Sequence, residues 1–305
     1  DLGFLNDRIG ITLDLYSKTT RDLLLNANMP LSSGYVSAMK NIGKVRNQGI
    51  EFTLNTVNIK NKKFTWETNF NIAFNKNKVL ALTEGQTTLT TAASFDQNFN
   101  TQQSYIAKVG QSMGSMYGFI YEGTYKYDDF DKSGDTYTLK PTVAHYTSEN
   151  NTQPGMPKYR DLNDDGIIDD NDRTNIGSPM PKYTFGWNNT FRYKNFDLNV
   201  FINGSVGNKV MNYLSIKLTH MNSAWTNQLT TVNDRAQLVP IDPSKDYSAG
   251  VDVFGTPVYN WYDDITNVKV ANSGATIPRV SINDPNDNDR ISDRYIEDGS
   301  YVRLK

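Results

Sequence analysis

The amino-acid sequence predicts an all-β protein, an antiparallel up-and-down transmembrane β-barrel of which about nine strands are present. Three observations lead to this fold class: segments in which apolar and polar residues alternate, connections that alternate between short and long, and aromatic residues beside the short turns. Only 37% of the 305 residues are hydrophobic while 12% are aromatic, which is little material for a large buried core. A barrel with a wet interior does not need such a core.

The alternating segments occur in order along the chain. Residues 9–16 form the first, and residues 50–54 form a weaker second one. The clearest is 64–74, in which Phe, Trp, Phe, Ile and Phe alternate with Thr, Glu, Asn and Ala, and 183–193 and 196–203 repeat the pattern. Period-two alternation indicates a strand with one apolar and one polar face. Strands of about 10–12 residues match the length that crosses a membrane better than the usual length in soluble sheets.

The connections between these segments predict which ends of the strands meet. Short turns are expected at residues 6–7, 60–62, 111–112 and 194–195. Long polar loops are expected at about 18–46, 76–100, 127–181 and 206–298. Short turns at one end and long loops at the other are typical of an outer-membrane barrel. Tyr193 and Phe196 flank one short turn, and Phe64 and Trp66 follow another, where an aromatic girdle is expected.

Composition excludes several other classes. The formal net charge is −2, so no basic field indicates nucleic-acid binding, and the chain has no cysteine for disulfides or thiolate chemistry. No apolar run is long enough for a helical membrane span. A soluble β-sandwich or solenoid with one solvated face stays open as an alternative, because alternation cannot distinguish a lipid-facing surface from a protein core.

An acidic loop at residues 161–172 has the spacing of an EF-hand-type calcium loop. Oxygen-bearing side chains stand at positions 1, 3, 5, 9 and 12, and a glycine stands at position 6, where the chain must turn sharply. The expected ligands are Asp161, Asn163, Asp165, the backbone carbonyl of Ile167, Asp169 and Asp172. Because no helices are predicted beside the loop, we expect a structural calcium ion rather than a signalling site. A solvated acidic turn is the alternative.

Four aromatic residues in the longest loop are candidate contacts for a substrate: Trp225, Tyr259, Trp261 and Tyr262. Aromatic rings can stack on a sugar or meet a partner protein, but they can equally form a small core beneath a long loop. No combination of nucleophile, base and acid marks a catalytic centre, so the sequence predicts a protein that is not an enzyme.

Several segments resemble the SusC/RagA-like TonB-dependent transporters of Bacteroidota outer membranes. They are residues 41–51, residues 161–172 continuing into 176–186, residues 195–198 and residues 292–305. The resemblance implies a barrel of about 22 strands that is filled by an N-terminal plug. It also implies import of oligosaccharides or peptides, driven by the inner-membrane TonB complex and assisted by a SusD-like surface lipoprotein.

This resemblance further implies that residues 1–305 form part of such a barrel, in contact with outer-membrane lipid of a Gram-negative bacterium, without the plug domain, the TonB box and the last strands. The alternative function, from a different class, is a soluble secreted β-protein that binds glycans in a calcium-dependent manner.

Overall fold

A computed structural model describes most of the chain. The described residues are 1–28, 34, 37–82, 86–92, 102–133, 136–146, 152–221, 227–245, 248–251, 253–255, 257–259, 267–272, 274–280 and 290–305. They form two compact units. The first, here called the wall unit, contains Asp1–Tyr117, Gly177–Met211 and Ile296–Lys305. The second, here called the loop unit, contains Gly118–Ile176 and Asn212–Tyr295.

Long strands dominate the wall unit, and the loop unit contains short strands. In chain order they are β1 Leu2–Phe4, β2 Ile9–Asn28, β3 Ser37–Lys60, β4 Phe64–Ala81, β5 Thr88–Ala92, β6 Gln103–Lys108, β7 Ser115–Gly118, β8 Tyr121–Thr124, β9 Phe130–Ser133, β10 Thr136–Leu139, β11 Pro157–Tyr159, β12 Thr174–Gly177, β13 Tyr183–Tyr193, β14 Phe196–Val206, β15 Lys209–Met211, β16 Leu238–Pro240, β17 Ser248–Val251, β18 Pro257–Tyr259, β19 Val268–Val270, β20 Ile296–Asp298 and β21 Tyr301–Leu304. The helical segments are the α-helix α1, Tyr213–Thr219, and the 3₁₀ turns Tyr127–Asp129, Asp170–Asp172, Thr230–Asp234 and Asp293–Tyr295. No helix within the described ranges is long and apolar enough to cross a membrane.

The wall unit is built on one antiparallel sheet of seven strands in the order β1-β2-β3-β4-β13-β14-β21. Its register aligns the alternation of neighbouring strands. Leu15, Ile50 and Phe74 are cross-strand partners, for example, and they form one continuous apolar row. Because the strands keep this register between their bulges, one face of the sheet is mainly apolar and the other is polar. The alternation predicted from the sequence is confirmed.

The apolar face is not covered by other parts of the described chain. Leu15 is 71% exposed, Leu198 is 59% exposed and Phe196 is 77% exposed. Leu2, Leu13, Trp187, Val302 and Leu304 on the same face are also exposed. A protein that is monomeric in water rarely exposes a contiguous apolar surface of this extent.

The polar face is rich in asparagine side chains that bond across strands. Asn77 donates from Nδ2 to Oδ1 of Asn47 at 2.9 Å, and Asn69 bonds to Asn55 in the same way. Tyr16 lies over Gly49, and its hydroxyl donates to Oδ1 of Asn75 at 3.1 Å. These uncharged donors and acceptors suit a surface that faces water.

On the apolar face, at the end with the short turns, Trp66 and four polar residues form one hydrogen-bonded network. Oδ1 of Asn189 accepts from Nε1 of Trp66 at 3.0 Å and from Oγ1 of Thr68 at 2.7 Å. Asn58 donates to Thr68 at 2.7 Å and accepts from Thr56 at 2.9 Å. Asn189 is only 7% exposed, so this polar side chain is satisfied by its neighbours rather than by solvent.

Three short turns join wall strands at the same end of the sheet. Residues 5–7 connect β1 to β2 with three successive left-handed residues, at φ values of 54° to 60°. In the β3–β4 turn, Oδ1 of Asn61 accepts from the backbone N–H groups of Lys63 and Phe64 at 2.9 and 2.8 Å. Lys194, between β13 and β14, is left-handed at φ 52°. Phe64, Tyr193 and Phe196 form the aromatic row next to these turns, as predicted.

The strands differ in extent from those expected. β2, β3 and β4 have 20, 24 and 18 residues, so they continue into the segments 18–46 and 76–100 that were expected to be loops. The extensions carry polar residues on both faces, which is why the alternation did not indicate them. The short turn expected near 111–112 joins β6 to β7, which pair with each other and not with the seven-stranded sheet.

The loop unit has hydrophobic cores of its own. Tyr125, Phe130, Leu139 and Met156 form one buried cluster. The hydroxyl of Tyr125 donates to the carbonyl of Ala144 at 2.7 Å, and burial raises the pKa of that hydroxyl. The two segments predicted as long polar loops, 127–181 and 206–298, therefore contain an ordered unit in their described parts.

The contact between Tyr16 and Gly49 gives a test of packing on the polar face. A Cβ atom at position 49 would lie 2.4 Å from the Tyr16 ring and 2.5 Å from the carbonyl oxygen of Phe74. Gly49→Ala is expected to lower the free energy of unfolding by about 1–3 kcal/mol, because the backbone must shift. Denaturant unfolding in detergent micelles measures the change.

Gly10→Ala is the matched control on the same face. A Cβ atom there would meet its nearest neighbour, Cβ of Asn55, at 3.8 Å, which is an ordinary contact. The change should be within about 0.5 kcal/mol. Equal losses for the two variants would contradict the packing described for Gly49.

Candidate calcium loop and its surroundings

The acidic loop lies in the loop unit directly after β11. β11 pairs with β8, and Arg160 extends this pairing through a backbone hydrogen bond to Ile120 at 2.9 Å. The loop then runs from residue 161 to the 3₁₀ turn Asp170–Asp172 and continues into β12. A short sheet therefore fixes its start and a capped turn fixes its end.

Side chains in the first half of the loop accept hydrogen bonds from the backbone that follows them. Asp161 accepts from the N–H of Asp164 through Oδ1 and from the N–H of Gly166 through Oδ2, both at 2.7 Å. Asp165 accepts from the N–H of Ile167 at 2.9 Å, and Asn163 accepts from Asp165 at 3.2 Å. Successive bonds of this kind hold a tight turn. Gly166 is at φ +85°, which explains the glycine at position 6.

Asp172, at position 12, connects the two ends of the loop. Its carboxylate is fully buried. Oδ1 accepts from the N–H of Leu162 and Oδ2 accepts from the N–H of Asp169, both at 2.8 Å. Asp169 in turn caps the 3₁₀ turn by accepting from the N–H of Asn171 at 2.7 Å. The last predicted ligand is therefore held against the start of the loop.

Ile168 anchors the loop to a core. It is 1% exposed and packs with Phe119 and Tyr159, while the preceding Ile167 is 50% exposed. His145 bonds to the loop on either side of this position. Its N–H donates to the carbonyl of Gly166 at 3.2 Å, and its carbonyl accepts from the N–H of Ile168 at 2.9 Å. Backbone and side chain together fix this part of the loop.

The carboxylates of the loop are not gathered around one point. In the described part of the chain, no three His, Cys, Asp or Glu side chains are grouped so as to hold a metal ion. Bonds to backbone N–H groups orient the carboxylates, and each bonded oxygen keeps a lone pair. The sequence-predicted ligands thus share one loop, and an ion would have to draw their oxygens together.

A buried arginine beside this core was not indicated by the sequence. Arg290 is 8% exposed, and its guanidinium lies 3.2 Å from the ring centroid of Tyr146 and 4.6 Å from that of Phe119. Burial lowers the pKa of Arg290 to about 9, so the side chain stays charged at neutral pH. Cation–π contacts of this kind stabilise a desolvated guanidinium. No local pattern around residue 290 signals them, because the two rings come from distant parts of the sequence.

The four candidate substrate contacts are not brought together by the described structure. Trp225, Trp261 and Tyr262 lie outside the described residues. Tyr259 is the last residue of β18, which pairs with β17. The assignment of these residues as substrate contacts therefore stays a prediction.

The fold and the loop together define a class of protein: a segment of a transmembrane β-barrel wall whose strands are joined by short turns at one end and by long connections at the other. Searched against models of known protein families, the chain matches none.

Known proteins identify the family. The chain is 33% identical over 306 residues to TonB-dependent receptor P3 of Formosa agariphila. This alignment covers 100% of the present chain and 25% of the relative. It is 28% identical over 245 residues to TonB-dependent receptor SusC of Bacteroides thetaiotaomicron, covering 79% of this chain and 22% of the relative. The chain thus spans about a quarter of the length of the curated relatives it matches.

Solved structures agree in fold. The RagAB peptide transporter matches with a TM-score of 0.59 at 17% identity, over 99% of this chain and 27% of that one. The RagAB peptide importer in the closed-closed state matches with a TM-score of 0.60 at 18% identity, over the same shares of the two chains. The chain belongs to the SusC/RagA-like TonB-dependent receptors and corresponds to part of their barrel.

The anchoring role of Ile168 can be tested against its neighbour. Ile168→Ala removes a fully buried side chain and is expected to destabilise the loop unit by about 2–5 kcal/mol. Ile167→Ala removes an exposed side chain, keeps the backbone carbonyl and should cost less than about 0.5 kcal/mol.

Amide hydrogen exchange at Ile168 reports the difference, since this N–H is bonded to His145. Faster exchange in the Ile168 variant and unchanged exchange in the Ile167 variant are expected. Equal exchange in both variants would show that Ile168 does not hold the loop.

Proposed function

We propose that this chain forms part of the wall and the long connections of an outer-membrane receptor that imports nutrients in a TonB-dependent manner. The observation that carries the proposal is the continuous apolar face of the seven-stranded sheet, opposite an asparagine-rich polar face. Lipid covers an apolar surface of this kind, and a water-filled lumen suits the polar one. Dependence on TonB is proposed because the relatives are named TonB-dependent receptors.

The soluble glycan-binding alternative is not supported. A soluble sheet would bury its apolar face under a second layer, whereas residues such as Leu15 and Phe196 are largely exposed. None of the relatives described above is named as a soluble binding protein.

Two protein partners and a substrate class follow from the family. We infer that the receptor works with a SusD-like surface lipoprotein and draws energy from the TonB complex through a plug domain. The likeness to SusC and to RagAB supports this inference. The substrate is an oligosaccharide or a peptide, and the latter is what the RagAB structures are named for. Trp225, Tyr259, Trp261 and Tyr262 are the proposed substrate contacts.

We propose further that residues 161–172 bind a structural calcium ion. The ligand spacing, the left-handed glycine and the buried carboxylate of Asp172 support the proposal. The described structure places two backbone N–H groups on that carboxylate. A divalent cation would compensate its buried charge. Bound calcium would stiffen the loop that precedes β12.

The orientation of the wall gives the first test. Val200 lies on the apolar face near the middle of β14, and the adjacent Asn199 lies on the polar face. Val200→Arg in the receptor is expected to reduce its stability in bilayers by about 2–4 kcal/mol, because the charge enters lipid. Asn199→Arg places the same charge in the lumen and should cost less than about 1 kcal/mol. Urea titration of receptor folded into liposomes measures both, and the reverse order would contradict the proposed orientation.

Calcium binding is tested within the loop itself. Asp161→Asn removes the charge of a proposed ligand and should weaken calcium binding at least about tenfold. Asp164→Asn is the matched control, since residue 164 stands at a non-ligand position and its left-handed backbone suits asparagine. It should change the affinity less than about threefold. Calorimetry with calcium chloride on the receptor measures both; no heat from the unchanged protein at millimolar calcium would refute the site.

A further inference from the structure

We propose that the apolar face carries a binding site for the phosphate headgroup of a membrane lipid, formed by Arg46, Lys76 and Lys78. The site lies on β3 and β4 toward the ends away from the short turns, immediately beyond the apolar row of Leu15 and its partners. This inference rests on the proposed function, because it requires the apolar face to be in contact with lipid.

The register places the three cations on the apolar face. Arg46 is the cross-strand partner of Lys78, and Gln48 is the partner of Lys76. Two residues further along each strand, Ile50 pairs with Phe74, so all these positions share one face.

Burial of the neighbouring valines confirms this assignment. Val45 and Val79, adjacent in sequence to Arg46 and Lys78, are 5% and 0% exposed. They pack with Leu82 against Leu89 and Ala107, on the opposite side of the sheet. Since successive side chains in a strand point to opposite faces, Arg46 and Lys78 point away from this small core.

In the described structure the positive charges of Arg46, Lys76 and Lys78 repel one another. Directly opposed residues of an antiparallel pair have Cβ atoms about 4.5–5.5 Å apart, and like charges at that spacing are destabilising. Among the described residues, Arg46, Lys76 and Lys78 form no ion pair with a carboxylate. Nε of Arg46 is also buried without a hydrogen-bond partner. An anion placed between these side chains would relieve the repulsion.

The surface beside the cations selects an amphiphile over a soluble anion. Ile50 and Phe74 are 47% and 43% exposed, and Leu15 is 71% exposed. Acyl chains would lie along the apolar row while a phosphate meets the cations. Arginine and lysine both bind phosphate, arginine through two parallel hydrogen bonds.

Phosphorylated lipid A in a zwitterionic detergent is the probe, and native mass spectrometry of the receptor counts the lipids that stay bound. The triple variant Arg46→Gln, Lys76→Gln and Lys78→Gln is expected to lose about fivefold in lipid affinity for each charge removed. Lys76→Gln alone should lose about fivefold. A variant that fails to fold would be recognised by its heat-dependent gel mobility, and the single variant then carries the test.

Lys18→Gln is the matched control. Lys18 pairs with Asn47, between the rows of Lys76 and Lys78 but on the opposite face, so its loss should leave lipid binding unchanged. Equal losses in the Lys18 and Lys76 variants would refute the site. Displacement of the lipid by millimolar inorganic phosphate would also refute it, because the apolar row would then contribute nothing. Flotation of the receptor with liposomes checks membrane insertion separately, so a failure of the proposed function is distinguishable.

Discussion

The backbone of a membrane-spanning segment has no water to bond with, so every N–H and C=O group must find its partner within the protein. Where two strands of the wall unit are paired, the antiparallel ladder meets this requirement, and it does so in a register that keeps apolar side chains mainly on one face across seven strands. The remaining features of the wall follow from that register. The aromatic row beside the short turns, the asparagine bonds of the other face and the packing of Tyr16 on Gly49 all require it.

The loop unit is stabilised by a different principle. It buries aromatic residues such as Tyr125 and Tyr159 in small clusters, as a soluble domain does. Several of its polar side chains bond to backbone groups, and the buried guanidinium of Arg290 lies against two rings. One chain therefore combines a sheet whose apolar surface is exposed with a unit whose apolar residues are turned inward. The low hydrophobic content of the sequence reflects the wet face of the first and the polar connections of the second.

The wall strands could be predicted where one face is apolar, because alternation is a local signal. Residues 64–74 and 183–193 show it most clearly, and both lie in strands of the wall sheet. The extensions of β2 to β4 could not be predicted in this way, since polar residues stand on both of their faces. The loop at 161–172 was recognisable from its spacing alone. Arg290 was not, because its partners Phe119 and Tyr146 are brought to it only by tertiary structure.

The loop unit is assembled from two separate segments of the chain, 118–176 and 212–295, that bond to each other throughout. The N–H of Arg279 donates to the carbonyl of Gly155 at 2.8 Å, and the N–H of Phe119 donates to the carbonyl of Ile291 at 2.9 Å. The hydroxyl of Thr124 donates to the carbonyl of Ala275 at 3.1 Å. Removal of either segment would therefore leave backbone groups of the other without their partners. The two connections thus form one structural unit, although a hairpin of the wall separates them in the sequence.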